Sequence, residues 1–238
     1  STPVYATTDE DGNVITDGAT ADNYNIKWDG STLTLCSANI KKELYDINLP
    51  LSNIAGAAIG VLNQHGDAEL TITLEGTNRI EDVSAAIHVF ASSTGAANLT
   101  ITGDGILSAS SRLNPGITVQ SNSGNGTLAI TGAKVTASSS SGGNGVQIRV
   151  GDESKASLTV NGGNLTATGS GDIRGGIEFQ FGAGESGSGT PSLTVSENAM
   201  VKVSGRAGGI TSNSSPVTPS GTGIVFNNGT GTVYGDVT

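Results

Sequence analysis

Leu99–Ser111 reads LTITGDGILSASS. Apolar and hydroxyl residues alternate, glycine interrupts, and the alternation resumes. Period two belongs to strands with one buried side, so Leu99 and Ile101 point inward with Thr100 and Thr102 outward, and Leu107 and Ala109 inward with Ser108 and Ser110 outward. The glycines supply the backbone angles of a corner between two strands.

The phrase recurs. LTITLEG at Leu70, LTITGDG at Leu99, LAITGAK at Leu128, LTVNGGN at Leu158 and LTVSENA at Leu193 follow one another at steps of 29, 29, 30 and 35 residues, with a weaker copy, LTLCSAN, at Leu33. Each copy carries a second strand-like piece (RIEDV at Arg79, ILSASS at Ile106, KVTASS at Lys134, NLTATG at Asn164, MVKVSG at Met200) and a third (AAIHVF at Ala85, PGITVQ at Pro115, NGVQIRV at Asn144, GGIEFQF at Gly175, GGITSN at Gly208). The offset from the first piece to the third stays at 17 to 19 residues. Three short strands per repeat, turned by glycine and without helical stretches, predict an all-β right-handed parallel β-helix. About six coils stacked at roughly 4.8 Å each make a rod on the order of 30 Å long. A β-sandwich would also show short strands and frequent turns, but would not keep a three-strand register through five copies.

The ends differ. Residues 1–32 carry hairpin signals at Asp11-Gly12 and Asp29-Gly30, and Tyr24, Ile26 and Trp28 alternate onto one face, so they are expected to form a small N-terminal β cap. The β-helix is expected over 33–238, with an irregular first coil in 40–69 whose third strand is AAIGVL at Ala57. At the other end GTGIVF is expected to begin a further third strand, and the alternation continuing to Thr238 reads as a piece of a longer protein.

Composition narrows the function classes. The 238 residues include 36 Gly, 4% aromatic and 13% charged residues, while Ile, Val, Leu and Thr recur regularly, which favours ordered β-structure over disorder. A net charge of −10 with only 11 Lys and Arg leaves no basic patch for nucleic acid and disfavours a membrane surface. No apolar run has the length of a spanning helix, and no charged and apolar leader opens the chain. Cys36 is alone, so neither an intrachain disulfide nor a cysteine zinc site is available. The few lysines and the Ser/Thr/Asn/Gly-rich surface suit an exported bacterial protein.

Candidate ligand-binding residues lie on the third strands. Their outward positions stack into two columns, one containing His88, Thr118, Gln147 and Glu178, the other Phe90, Gln120, Arg149 and Gln180. These side chains match sugar hydroxyls, and Phe90 would offer a platform for a pyranose ring; the other use of such ladders is to satisfy one another on a solvated face. The loops after the third strands collect on one side, so Asp152, Glu153 and Glu185 are candidates to approach Glu178 and hold Ca²⁺; their alternative is a set of solvated acidic loops. DEDGN at Asp9 lacks the spacing of a calcium loop and reads as a turn. Histidine occurs only at 65 and 88, and no HExxH, GxSxG or phosphate-loop pattern is present, so no catalytic residues are assigned and no enzymatic activity is expected. A polysaccharide lyase would need clustered carboxylates with a basic partner; here Glu178 and Arg149 in adjacent columns are expected to form a simple ion pair.

The LTIT-and-LTATG coils, the opening YNIKWDGSTLTL and LTITLEGTNRI at Leu70 resemble the β-helical modules of secreted and cell-surface proteins of gut bacteria and clostridia. The resemblance covers nearly the whole chain and implies export, surface attachment and a polysaccharide or host-matrix glycan as partner. Its motifs specify coils, so no site residues are carried over. Cys36 stands where relatives often have a polar residue, and the third strands lack the repeated Asp-Gly-Ile of the clostridial polysaccharide binders. The expected function is therefore a non-enzymatic extracellular module on a bacterial surface, binding glycan or adhering along one face, with a passive spacer in a larger surface protein as the alternative and a polysaccharide lyase as the less favoured one.

Overall fold

A computed structural model describes residues 2–43, 56–170, 174–182, 187–196, 198–205, 209–215, 217, 219–221 and 224–226. The regular structure among them is all strand. The chain opens with β1 (Val4–Thr8), β2 (Val14–Ile15) and β3 (Ile26–Trp28), then enters an incomplete coil of β4 (Thr32–Cys36), β5 (Asn39–Ile40) and β6 (Ala57–Asn63). Five regular coils follow: β7 (Ala68–Glu75), β8 (Thr77–Val83) and β9 (Ala85–Ala91); β10 (Ala97–Gly103), β11 (Ile106–Ser111) and β12 (Ile117–Ser121); β13 (Gly126–Thr131), β14 (Lys134–Ser139) and β15 (Val146–Val150); β16 (Lys155–Asn161), β17 (Asn164–Thr168) and β18 (Ile177–Phe181); β19 (Thr190–Val195), β20 (Met200–Ser204) and β21 (Ile210–Ser212). Two strands of a further turn, β22 (Pro219–Gly221) and β23 (Ile224–Phe226), complete the set.

The coils stack into three parallel sheets, one per side of a triangular solenoid, consistent with a right-handed parallel β-helix. Register follows the repeat. Leu70, Leu99, Leu128, Leu158 and Leu193 pair in one column, and Ile87, Ile117, Val146, Ile177 and Ile210 in another. Each of these side chains is buried, so every coil is sealed by its neighbours. Burying one such chain stabilises by roughly 1.5–3 kcal/mol, and a slip of one residue would turn all of them outward, which is why register is tightly held.

The corners impose small residues. Gly103 sits between β10 and β11 at φ +104°, and a Cβ there would lie 2.3 Å from the Leu74 carbonyl oxygen of the coil below. Gly126 shares an inward column with Ala97 and Ala156, and a Cβ on it would meet Val150 Cγ1 at 2.7 Å.

The N-terminal strands extend the first sheet, β1 and β3 running antiparallel and β3 pairing with β4, and Ile26 and Trp28 pack against the core. Both hairpin signals are realised as Asp-anchored turns. Asp29 Oδ1 accepts the backbone N–H of Ser31 at 3.0 Å and of Thr32 at 2.8 Å. Asp9 accepts from the Asn13 backbone at 2.8 Å and from its amide at 2.7 Å, so DEDGN is a turn.

Two strand assignments differ from the sequence reading. The second strand of the first regular coil begins at Thr77, ahead of Arg79, because Asn78 occupies the core position paired with Leu107. Asn78 is fully buried and satisfied there: its amide donates to the Glu75 and Ile106 carbonyls at 3.1 and 3.3 Å, and its oxygen accepts from Ala38 N–H at 2.8 Å. The register slips further along, where Asp82 takes φ +59° in a bulge. At the other end Ile224–Phe226 pairs with β20 and is a second strand, not a third; β22, written with proline, serine and glycine, hides the first strand of that turn from a hydrophobic pattern.

Candidate functional site

The proposed ligand columns divide into a covered part and an open part. On β15 and β18, and on β12 apart from Thr118, alternation holds: Ile117, Val119, Val146, Ile148, Ile177 and Phe179 are buried, while Gln120, Gln147, Arg149, Glu178 and Gln180 are half-buried on the outside. On β9 it fails. All seven residues of this strand are buried, including outward-pointing His88 and Phe90, at 8% and 1% exposure. Thr118 is also buried, at 4%.

Phe90 is therefore not a surface platform for a sugar, and His88 and Thr118 offer no open hydrogen-bonding groups. The reason is coverage on both sides, which alternation cannot register. Glu43, beyond β5, is fastened at the start of β9: its Oε1 accepts the backbone N–H of Ser84, the Ser84 hydroxyl at 2.7 Å and Arg112 Nη2 at 3.0 Å. Glu43 therefore stands beside the start of the third strand β9. His88 and Phe90 stack with ring centroids 6.0 Å apart and planes inclined at 29°. Burial pushes the imidazole pKa down to about 4, a hydrogen bond with Gln120 opposing in part, and His88 Nε2 is left without a partner.

The open part is organised around Glu178. Its Oε2 accepts the side-chain amides of Asn144 at 2.6 Å and Gln147 at 2.5 Å, and its Oε1 lies 3.5 Å from Arg174 Nη1. Gln147 is the register partner of Glu178, and its amide also lies 3.3 Å from Gln180 Oε1. The ion pair expected between Glu178 and Arg149 does not form. Arg149 pairs in register with Gln180, whereas Arg174 is four residues before Glu178 on the approach to β18 and reaches the carboxylate directly.

Asn144 sets the chemistry of this end of the face. It is 1% exposed at the corner before β15, and its Oδ1 has no hydrogen-bond partner. A buried amide oxygen left unpaired costs about 1–3 kcal/mol, so it is an acceptor in want of a donor. Asn144 lines a pocket of about 170 Å³ together with Gln147, Arg174, Leu113 and Pro115. Leu113 is 61% exposed and provides an apolar wall beside the polar groups. Sequence reading missed Asn144 and Arg174 because both precede the strands; the only trace was an asparagine and an arginine each close before a glycine that opens a third strand.

At the opposite ends of the same strands lies a second, polar pocket of about 290 Å³, lined by Ser121, Asn122, Arg149, Val150, Gly151, Asp152 and Gly182. Asp152 thus stands at the far end of the third strands from the Glu178 cluster, and Glu153 is an exposed neighbour in the same loop. Glu185 lies outside the described residues, and among the described ones no group of three or more His, Cys, Asp or Glu gathers as a calcium site requires. A further cavity, of about 540 Å³, is away from this chemistry. It is an apolar void at the N-terminal mouth of the core, beside Ile26, Trp28, Leu33, Leu35, Ile59 and Val61, where β5 is only two residues long.

Compared with known proteins, the chain matches no family model, no curated protein and no solved structure.

Proposed function

We propose that the protein is a non-enzymatic extracellular module of a bacterial surface that binds glycan on the open part of its third-strand face. The observation that carries this reading is the surface pocket in which Asn144, Gln147 and Arg174, all three bound to Glu178, stand beside the exposed apolar Leu113. A sugar hydroxyl accepts from Arg174, and the apolar face of the ring rests on Leu113. Glu178 acts by holding the two amides in place, since its own oxygens are already engaged. Affinity per site is modest for a pocket this small, and display of many copies raises it by avidity.

The test is a glycan array probed with the purified protein and with Glu178→Gln and Asn144→Leu. Specific binding weakened by both substitutions supports the reading. A broad array without a single ligand would refute it and leave the spacer role, which the stiff in-register stacking of coils favours.

A further inference from the structure

We infer that the glycan lies along the strands, across the rod instead of up it, and that its second subsite is the Arg149–Asp152 pocket, built for a neutral sugar unit. This rests on the glycan-binding reading and adds an orientation, a minimum length and a charge class to it.

Arg149 is half-buried, and among the described residues its side chain makes no hydrogen bond and no ion pair. That is an unusual state for a guanidinium with five donors in a protein of net charge −10. Asp152 lines the same pocket, is likewise without a bonded partner, and is not within ion-pair distance of Arg149. A cation and an anion facing one pocket without neutralising each other leave a donor fork and an acceptor available together. Adjacent hydroxyls of a sugar satisfy both, their oxygens accepting from Arg149 and one O–H donating to Asp152. Asn122 is already committed, its amide donating to the Ser92 carbonyl at 3.0 Å, so it shapes the wall without competing for the ligand.

Geometry joins this pocket to the first. Both are built on β12, β15 and β18, one at each end of the strands, and the outward side chains between them are Gln147 and Arg149 on β15, with Glu178 and Gln180 beside them. Gln147 and Arg149 are two residues apart, roughly 7 Å, and Asn144 and Asp152 are at most roughly 26 Å apart at the rise of a strand. Filling both pockets takes more than a disaccharide. One positive and one negative group in the second pocket, within an acidic molecule that repels polyanions at long range, select an uncharged chain.

The experiment is titration calorimetry of the purified protein with neutral oligosaccharides of the gluco, manno, xylo and N-acetylglucosamine series, alongside oligogalacturonates, each at increasing length. The expected result is a gain of about tenfold in affinity between the disaccharide and the tetrasaccharide of a neutral series, with little dependence on salt. Arg149→Gln and Asp152→Asn should each remove that gain and leave the disaccharide affinity in place, whereas Glu178→Gln should weaken every length. Binding that Glu178→Gln reduces, but that neither grows with length nor responds to Arg149→Gln, would overturn the second subsite and leave the glycan-binding face standing. A preference for oligogalacturonates that falls with salt would overturn the neutral class. Absence of binding across all series would overturn the glycan-binding reading together with this inference.

Discussion

His88 makes this fold sensitive to mild acid. The folded imidazole titrates at about 4, against an ordinary value of 6.5, because burial disfavours its charged form. The sign follows from linkage: the unfolded chain takes up this proton as pH falls through 6.5, while the folded protein does not until pH reaches about 4. Stability contributed by neutral His88 is therefore complete above pH 6.5 and is lost progressively between 6.5 and about 4. At 1.36 kcal/mol per pH unit the full loss is about 3 kcal/mol, of which about 2 kcal/mol is already gone at pH 5. Other groups titrate in the same window, so the quantity to measure is a difference. Guanidinium unfolding of the wild type and of His88→Gln, which cannot charge, should give curves that converge in their pH dependence above 7 and diverge below 6, with the wild type losing the additional amount. An NMR titration should place the His88 ring proton near the folded value. Parallel pH profiles for the two proteins, or a His88 pKa at its ordinary value in the folded state, would refute the claim that this imidazole is buried and poorly hydrogen-bonded.

Two further predictions separate the covered part of the columns from the corners. Phe90→Ala removes a side chain that is 1% exposed and should destabilise by about 3–5 kcal/mol in chemical denaturation, while leaving glycan affinity at native temperature unchanged. Gly103→Ala combines φ +104° with a Cβ 2.3 Å from the Leu74 carbonyl oxygen and should cost more than Gly142→Ala, at φ +89° with nothing within 4 Å; the second should lose about 1 kcal/mol and the first clearly more, by thermal unfolding of the two variants side by side.

Much of the architecture was legible in the residues themselves. A coil needs three apolar strands and three corners, each writes a local signal of alternation or glycine, and stacking repeats that signal at a fixed interval. Leu99, Leu128 and Leu158 could be placed over one another before any coordinates, because only that register buries all of them. Where the local signal is lost, the reading failed: the strand Pro219–Gly221 carries no apolar alternation, and Asn78 fills a core position that no hydrophobic pattern assigns to a polar residue.

The site was legible only by half, for a different reason. Alternation says which side chains leave the core, and it correctly sent Gln147, Arg149, Glu178 and Gln180 outward. It cannot say what lies over them. Burial of His88 and Phe90 and the unpaired oxygen of Asn144 depend on how coils distant in sequence meet at the third sheet, and the choice of Arg174, four residues before Glu178, over Arg149 depends on how the chain turns into β18. Repetition along the chain determines the coil and its register because each coil asks the same of its neighbours; contacts across the surface are made once, between unlike residues, and only the tertiary structure decides them.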